Sequence, residues 1–165
     1  MSTVALSEYD ARWPLQFEAL AASIHRALGA TALTLDHVGS TSVPGLAAKP
    51  VIDVALTVPS SAAEAGYGPQ LEAIGYTLRV REPNWFEHRM YAHYEPSVNL
   101  HVFSQGCPEA ERMRVFRDWL RTNATDRALY EQVKRSLAAK DWRCVQDYAD
   151  AKSDVVREIL QRAQA

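Results

Sequence analysis

The residues with the clearest chemical potential lie between Asp36 and Asp53, in the string DHVGSTSVPGLAAKPVID. Gly39 lets the backbone come close to a ligand. Ser40, Thr41 and Ser42 bring hydroxyls and turn N–H groups, the donors a phosphate needs. Lys49 adds a point charge for the same anion. Asp53, beyond the loop, could hold a divalent cation against phosphate oxygens, because hard cations such as magnesium take carboxylate oxygen and water. These pieces suit a nucleotide. The GxxxxGK[ST] spacing of a Walker A loop is absent, and the plainer alternative is a loop of good turn residues beside a carboxylate paired with Lys49 or a backbone donor.

Other side chains can be placed near this segment with less force. His37 directly precedes the turn and His101 falls in a later strand-like run, so either could act as a general base at the strand ends, or be a hydrogen-bonded structural histidine. Arg89 could reach a phosphate or be a solvated edge residue. Arg114, Arg117 and Arg121 form a basic helical stripe whose default is a solvated face. Tyr130 and Lys134 share a helix face at i and i+4, where a ring and an ammonium could support a base and a phosphate, or form a surface pair. His88 and His93, five apart in a strand-like run, face opposite sides and cannot readily share a metal, and His25 reads as structural. Ser40 and Ser42 have no GxSxG elbow, and Cys144 sits in a helical pattern, so neither a serine hydrolase nor a thiol enzyme is indicated.

The elements that must position these groups follow from periodicity. Trp13, Phe17, Leu20, Ile24 and Leu28 define an amphipathic helix with Pro14 in its first turn and Gly29 as its stop. Residues 32–38 and the apolar run 51–58 read as strands. The second, ended by Pro59, has the composition of a strand covered on both faces, which makes Asp53 an anomaly. Ser61 and Glu64 have capping-box spacing and predict a helix to about Ile74, ended by Gly75. Strands are expected at 76–80, 85–94 and 98–104, joined by EPN and EPS turns as a meander. After Cys107-Pro108, three helices follow from Met113–Leu120, Leu129–Leu137 and Val145–Ile159. No repeat or linker divides residues 1–165, so one domain is expected.

Composition narrows the classes. Eighteen Lys and Arg against twenty Asp and Glu give a net charge of −2, without the positive field of a general nucleic-acid binder, although a local basic patch stays open. No apolar run approaches the ~18 residues that span a bilayer, and the first ten residues carry no signal-peptide pattern, so a cytoplasmic address is expected. Cys107 and Cys144 have no CxxC spacing and are read as reduced.

The string HVGSTSVPGLAAKPVIDV, with YDxxW at 9–13, NLHV at 99–102, FRDWLR at 116–121, the Tyr130-to-Lys134 helix and YADAKSDVV at 148–156, resembles the GrpB-like family in order and spacing along nearly the whole chain. The resemblance implies an α+β, nucleotidyltransferase-like fold of the polymerase-β type, a short mixed sheet flanked by helices with a helical C-terminal third. It also implies a domain found in some bacteria fused to dephospho-coenzyme A kinase. In active members of the wider superfamily a GS turn binds the triphosphate, and three carboxylates bind two metals for in-line attack of a hydroxyl on the α-phosphorus. Gly39 and Ser40 match the GS turn and Asp53 matches one carboxylate. The neighbours on the face of Asp53 are Val51 and Ala55, neither a ligand, and the later strand offers His101, flanked by Asn99, where a third carboxylate belongs. Glu87 or Glu95 could fold back to supply the absent second carboxylate.

Asp53 with His101 could hold one divalent ion, magnesium or manganese, with the imidazole shifting preference toward manganese, zinc or iron. The resemblance also raises Arg117 and Lys134 as phosphate ligands. Two functions are therefore expected. One is a metal-dependent transfer of a nucleotidyl group to a small-molecule or protein hydroxyl. The other is a catalytically degenerate module that binds a nucleotide or a coenzyme A precursor. A pure interaction domain using the C-terminal helices is a third, weaker class.

Overall fold

The alternating and apolar runs form five strands: β1 (Thr34–Val38), β2 (Ile52–Val58), β3 (Thr77–Glu82), β4 (His88–Tyr94) and β5 (Ser97–Ser104). They make one mixed sheet in the order β1-β2-β5-β4-β3, in which only β2 and β5 run parallel. The structure is a computed structural model that describes residues 5–140 and 145–165. The expected α+β architecture is present, with a short mixed sheet, flanking helices and a helical C-terminal third.

Strand alternation divides the sheet into two faces. One face presents Ile52, Val54, Leu56, Leu100, Val102 and Tyr91 to α1 (Arg12–Leu28) and α2 (Gly68–Ala73), where Trp13, Leu20, Ile24 and Leu71 complete the main core. Each such aliphatic side chain contributes about 1.5–3 kcal/mol by leaving water. Gly29 ends α1 with φ 57°, as expected of a C-terminal glycine. The other face carries Asp53 opposite Asn99 and Ala55 opposite His101. Over its β1–β2 half lies α3 (Pro108–Thr122). The helices α4 (Ala124–Ala138), α5 (Val145–Ala151) and α6 (Ser153–Ala163) follow. Val43 and Leu46 of the loop after β1 enter a second core with Leu120, Tyr130, Val155 and Ile159.

Several expected elements differ. The Ser61–Glu64 helix does not form: only Gly68–Ala73 is α-helical, because the Ser61 hydroxyl donates to the Glu87 carbonyl (2.8 Å) and Glu64 pairs with Arg81 and Arg89. The strand expected from residue 85 starts at His88, since Phe86 and Glu87 adopt positive φ. The last expected helix is interrupted at Lys152, giving α5 and α6. Cys107 is unbridged, and Cys144 lies outside the described residues. Among the described residues no helix is long and apolar enough to cross a membrane.

Candidate functional site

At the C-terminal end of β1 the chain turns sharply through Gly39 into a single 3-10 turn, Ser40–Ser42. Gly39 has φ 73°, and a Cβ there would sit 2.5 Å from Oδ2 of Asp53 and 2.9 Å from its Cβ. Only glycine permits both the backbone conformation and the approach. The GS turn is thereby pressed against the carboxylate of β2, and the two border a hollow of about 130 Å³ lined by Ser40, Thr41, Ala48, Lys49, Val51, Asp53, Asn99, Lys134 and Lys152.

Among the described residues, three ammonium groups and one carboxylate face this space. Lys134 is only 2% exposed, and its Nζ donates to the Ala47 carbonyl at 2.8 Å. The Ala47 N–H donates to Glu131 Oε1 (2.7 Å), so α4 grips the loop at both backbone atoms of Ala47. Burial, then the charges of Lys152 and Lys49, push Lys134 down to about 7 against the opposing influence of Glu131 and Asp53. Burial and Lys49 push Lys152 down to about 8, with Asp53 opposing. The Tyr148 ring lies under two of these cations, 4.7 Å from Lys152 Nζ and 5.5 Å from Lys49 Nζ. Lys134 and Lys152, with lowered proton affinity, are poised to gain from an entering anion.

Beside Asp53 on the same face is His101, whose Nε2 stands 3.5 Å from Oδ1. That is too long for a charge-assisted hydrogen bond. It lies within what two ligands of one ion, each about 2.1 Å from it, can span. Among the described residues no third His, Cys, Asp or Glu joins them. The donor set therefore fits one divalent ion completed by ligand oxygens and water, and does not fit a pair of ions. Behind His101, its Nδ1 lies 3.0 Å from Nε2 of buried His88, whose Nδ1 lies 2.8 Å from Oε1 of Glu82. Burial pushes His88 below the ordinary imidazole value, partly offset by the Glu82 hydrogen bond.

Of the residues singled out from the sequence, the fold gathers Gly39, Ser40, Thr41, Lys49, Asp53 and Lys134, with His101 adjoining. The others go elsewhere. His37 faces the opposite side of the sheet from Asp53, buried and stacked on Phe17 (centroids 5.0 Å), and its Nε2 lies 2.9 Å from Thr41 Oγ1. Burial pushes it down to about 4, with Arg121 and Arg117 adding to the shift and Asp53 opposing it. It supports the turn and is not placed to act as a base in the hollow. The Thr41 hydroxyl donates to Val51 O (3.0 Å) and the Ser42 hydroxyl to Gly39 O (2.5 Å), so both fix the turn; Ser42 does not line the hollow.

Arg89 also points to the face opposite His101, buried against Glu64 and Glu87, because β-strand parity separates it from His88. Glu87 is thus engaged with Arg89, and neither Glu87 nor Glu95 lines the hollow. Arg117 pairs with Asp36 and Asp118 and donates to the His37 carbonyl, outside the hollow. Arg121 donates to Ser42 O, so the stripe braces β1 and the turn instead of forming a free face. Tyr130 is 5% exposed, edge-on to Phe116 and hydrogen-bonded to Ser40, which leaves no ring surface for a base. Its i,i+4 partner Lys134 lies over its ring at 5.2 Å.

Lys152 is the residue that sequence reasoning missed. It lies within YADAKSDVV, but a lysine among polar helical residues reads as solvated, and only the α5–α6 break brings it inward. His88 was likewise set aside, because its contact with His101 depends on the β4–β5 register.

The family model described as GrpB protein matches residues 3–162. A UPF0157 protein of Halalkalibacterium halodurans is 56% identical over 164 residues, covering 99% of this chain and 84% of its own length. The dephospho-CoA kinase of Mycolicibacterium paratuberculosis is 32% identical over 187 residues, 97% of this chain and 46% of that protein. The crystal structure of conserved protein GrpB from Enterococcus faecalis superposes with a TM-score of 0.83 at 27% identity, over 98% of this chain and 100% of that one.

Proposed function

This chain belongs to the GrpB family, and on that premise we propose that its hollow binds the phosphates of a nucleotide or a closely related phosphate-bearing small molecule. The convergence of Lys49, Lys134 and Lys152 on the Gly39-Ser40 turn, with Asp53 as the one carboxylate among the described residues that line the hollow, carries this reading. Two of the lysines are depressed in pKa by burial and by their neighbours. An anion relieves both effects, so its binding is coupled to protonation of these amines. The volume equals that of about four waters, room for phosphate groups with the rest of the ligand outside. Asp53 spaces the ammonium groups and limits the net charge of the empty site. The likeness to a dephospho-CoA kinase places a coenzyme A precursor among the ligands to test.

A second reading, transfer of a nucleotidyl group to a small-molecule or protein hydroxyl, is favoured by the His101 and Asp53 pair. In it, Lys49, Lys134 and Lys152 hold the phosphates, the attacking hydroxyl oxygen bonds to the α-phosphorus as the bond to pyrophosphate breaks and pyrophosphate leaves, and the hydroxyl proton passes to His101 Nε2. Where Asp53 and His101 instead held a divalent ion such as magnesium, manganese or zinc, the ion would neutralise phosphate charge and lower the proton affinity of the attacking oxygen, and water would take the proton in place of His101.

Calorimetry with inorganic triphosphate, ATP, GTP, CTP and dephospho-coenzyme A, with and without magnesium or manganese, tests both readings. Triphosphate is expected to bind wild type below millimolar concentration without metal. Lys152→Met should weaken it at least ~10-fold, the loss of one charge-assisted contact. Asp53→Asn should keep or improve metal-free binding and lose any increment due to metal. Absence of binding by all five compounds rules out the phosphate site. Absence of label transfer from α-labelled nucleotides across a broad panel of hydroxyl acceptors rules out the second reading.

A further inference from the structure

Resting on the reading that Asp53 and His101 face the ligand, we infer that Glu82 and His88 are positioning residues that fix the tautomer of His101, holding a hydrogen on its Nδ1 and turning the lone pair of its Nε2 toward Asp53. The four side chains form a row across the sheet, one from each of the adjacent strands β3, β4, β5 and β2. Glu82 pairs directly with His88 in the β3–β4 register, and His101 pairs with Met90, one same-face position along from His88. Strand alternation therefore puts the whole row on the face that bears the hollow.

The protons along the row can be counted. An ionised carboxylate only accepts, so at 2.8 Å from Glu82 the Nδ1 of His88 carries the hydrogen. A neutral His88 then has a lone pair on Nε2, and the 3.0 Å contact requires a donor at His101 Nδ1. Neutral His101 is left with a lone pair on Nε2, facing the Asp53 carboxylate. The third contact is accordingly the longest, 3.5 Å, as two acceptors facing one another should be. In the reverse assignment every hydrogen moves one place toward Asp53. It would shorten this contact and set a lone pair against Glu82, where the shortest contact lies. The row thus ends on two converging acceptors, each partly open to water, and a hydroxyl hydrogen or a divalent ion arriving with the ligand can take the place of that water.

Glu82 is half-exposed, so Glu82→Gln is expected to fold. Its amide can donate to His88 Nδ1, which removes the constraint and lets the Asp53 carboxylate become the acceptor that orients the row. Two-bond proton–nitrogen correlation spectra of histidine-labelled protein, recorded well above the ordinary imidazole range, report the tautomer. Wild type is expected to carry its hydrogen on His101 Nδ1, and Glu82→Gln on His101 Nε2. Manganese affinity, measured with triphosphate present, should fall at least ~10-fold in Glu82→Gln, as for loss of an outer-shell partner. Triphosphate affinity without metal should stay within about twofold, because the lysines are untouched. A hydrogen on Nε2 in wild type, or the same tautomer in both proteins, overturns the inference, as does equal manganese affinity. Failure of triphosphate to bind wild type would instead sink the phosphate reading, with the tautomer result still decisive for Glu82 and His88.

Discussion

Replacing Lys134 by methionine should make the ligand-free protein more stable while destroying its affinity for phosphate. Lys134 is almost wholly buried; its ammonium donates to the carbonyl of Ala47 at 2.8 Å and lies 5.2 Å from the centre of the Tyr130 ring. Its pKa is about 7 in the fold against 10.5 for an unconstrained lysine, which at pH 7 corresponds to a folding penalty of about 4 kcal/mol. Methionine has similar length and fills the slot beside Tyr130 without a charge. Leaving the Ala47 carbonyl without its donor takes back about 1–3 kcal/mol. The balance is a gain of about 2 kcal/mol, in line with the general finding that a buried charge can be replaced by an apolar side chain at no loss. The unfolded chain binds the lysine proton more tightly than the folded one, so wild-type stability rises with pH between about 7 and 10.5 and the advantage of the variant fades over that window. Denaturant unfolding of both proteins at pH 7 and pH 10 measures this. Triphosphate at 100 times its Kd should then add about 2.7 kcal/mol to wild type alone and close the gap. A Lys134→Met protein less stable than wild type by ~2 kcal/mol at both pH values, or one stabilised equally by triphosphate, would refute the argument.

Triphosphate affinity should decline as pH rises above about 7, and more steeply above about 8, because Lys134 (about 7) and Lys152 (about 8) must both be protonated in the complex; calorimetry in buffers of different ionisation enthalpy should show proton uptake, and a flat profile from pH 7 to 9 contradicts this. Gly39→Ala combines φ 73° with a Cβ 2.5 Å from Asp53 Oδ2, so it should cost about 1–3 kcal/mol of stability and weaken triphosphate binding; an unfolding midpoint equal to wild type would be inconsistent with the close approach. His37, at about 4 in the fold against 6.5 unfolded, is protonated more readily in the unfolded chain. Wild-type stability should therefore fall by up to about 3 kcal/mol as pH drops from 6.5 to 4, and His37→Gln, which keeps a donor for Thr41, should flatten that slope; parallel slopes contradict the assignment.

How far the sequence reveals this architecture depends on whether a signal is local. The α1 stripe from Trp13 to Leu28 and the apolar run that became β2 are local patterns, and both mark their elements within a few residues. Asp53 stood out because a carboxylate in a strand covered on both faces needs a partner, and the Gly39-Ser40 turn is the neighbour it has. Parity alone separates Arg89 from His88. Which of the two shares a face with His101 is set by the register Met90↔His101, a long-range pairing that no short window contains. The Ser61–Glu64 spacing suggested a cap, but Glu64 is drawn to Arg81 and Arg89, so a tertiary ion pair overrides a local preference. The stripe of Arg117 and Arg121 looked solvated for the same reason, since Asp36 and the Ser42 carbonyl come from a distant segment. Lys134 was visible as a helix-face partner of Tyr130, whereas its burial under the 43–48 loop and the inward turn of Lys152 emerge only when the helices close on the sheet.

The most direct test is the position of phosphorus in crystals grown with a non-hydrolysable nucleoside triphosphate. Phosphate oxygens within hydrogen-bonding distance of Nζ of Lys49, Lys134 and Lys152, between Ser40 and Asp53, are the predicted result. Phosphates bound elsewhere on the molecule, with the three ammonium groups left facing only water, would contradict the account.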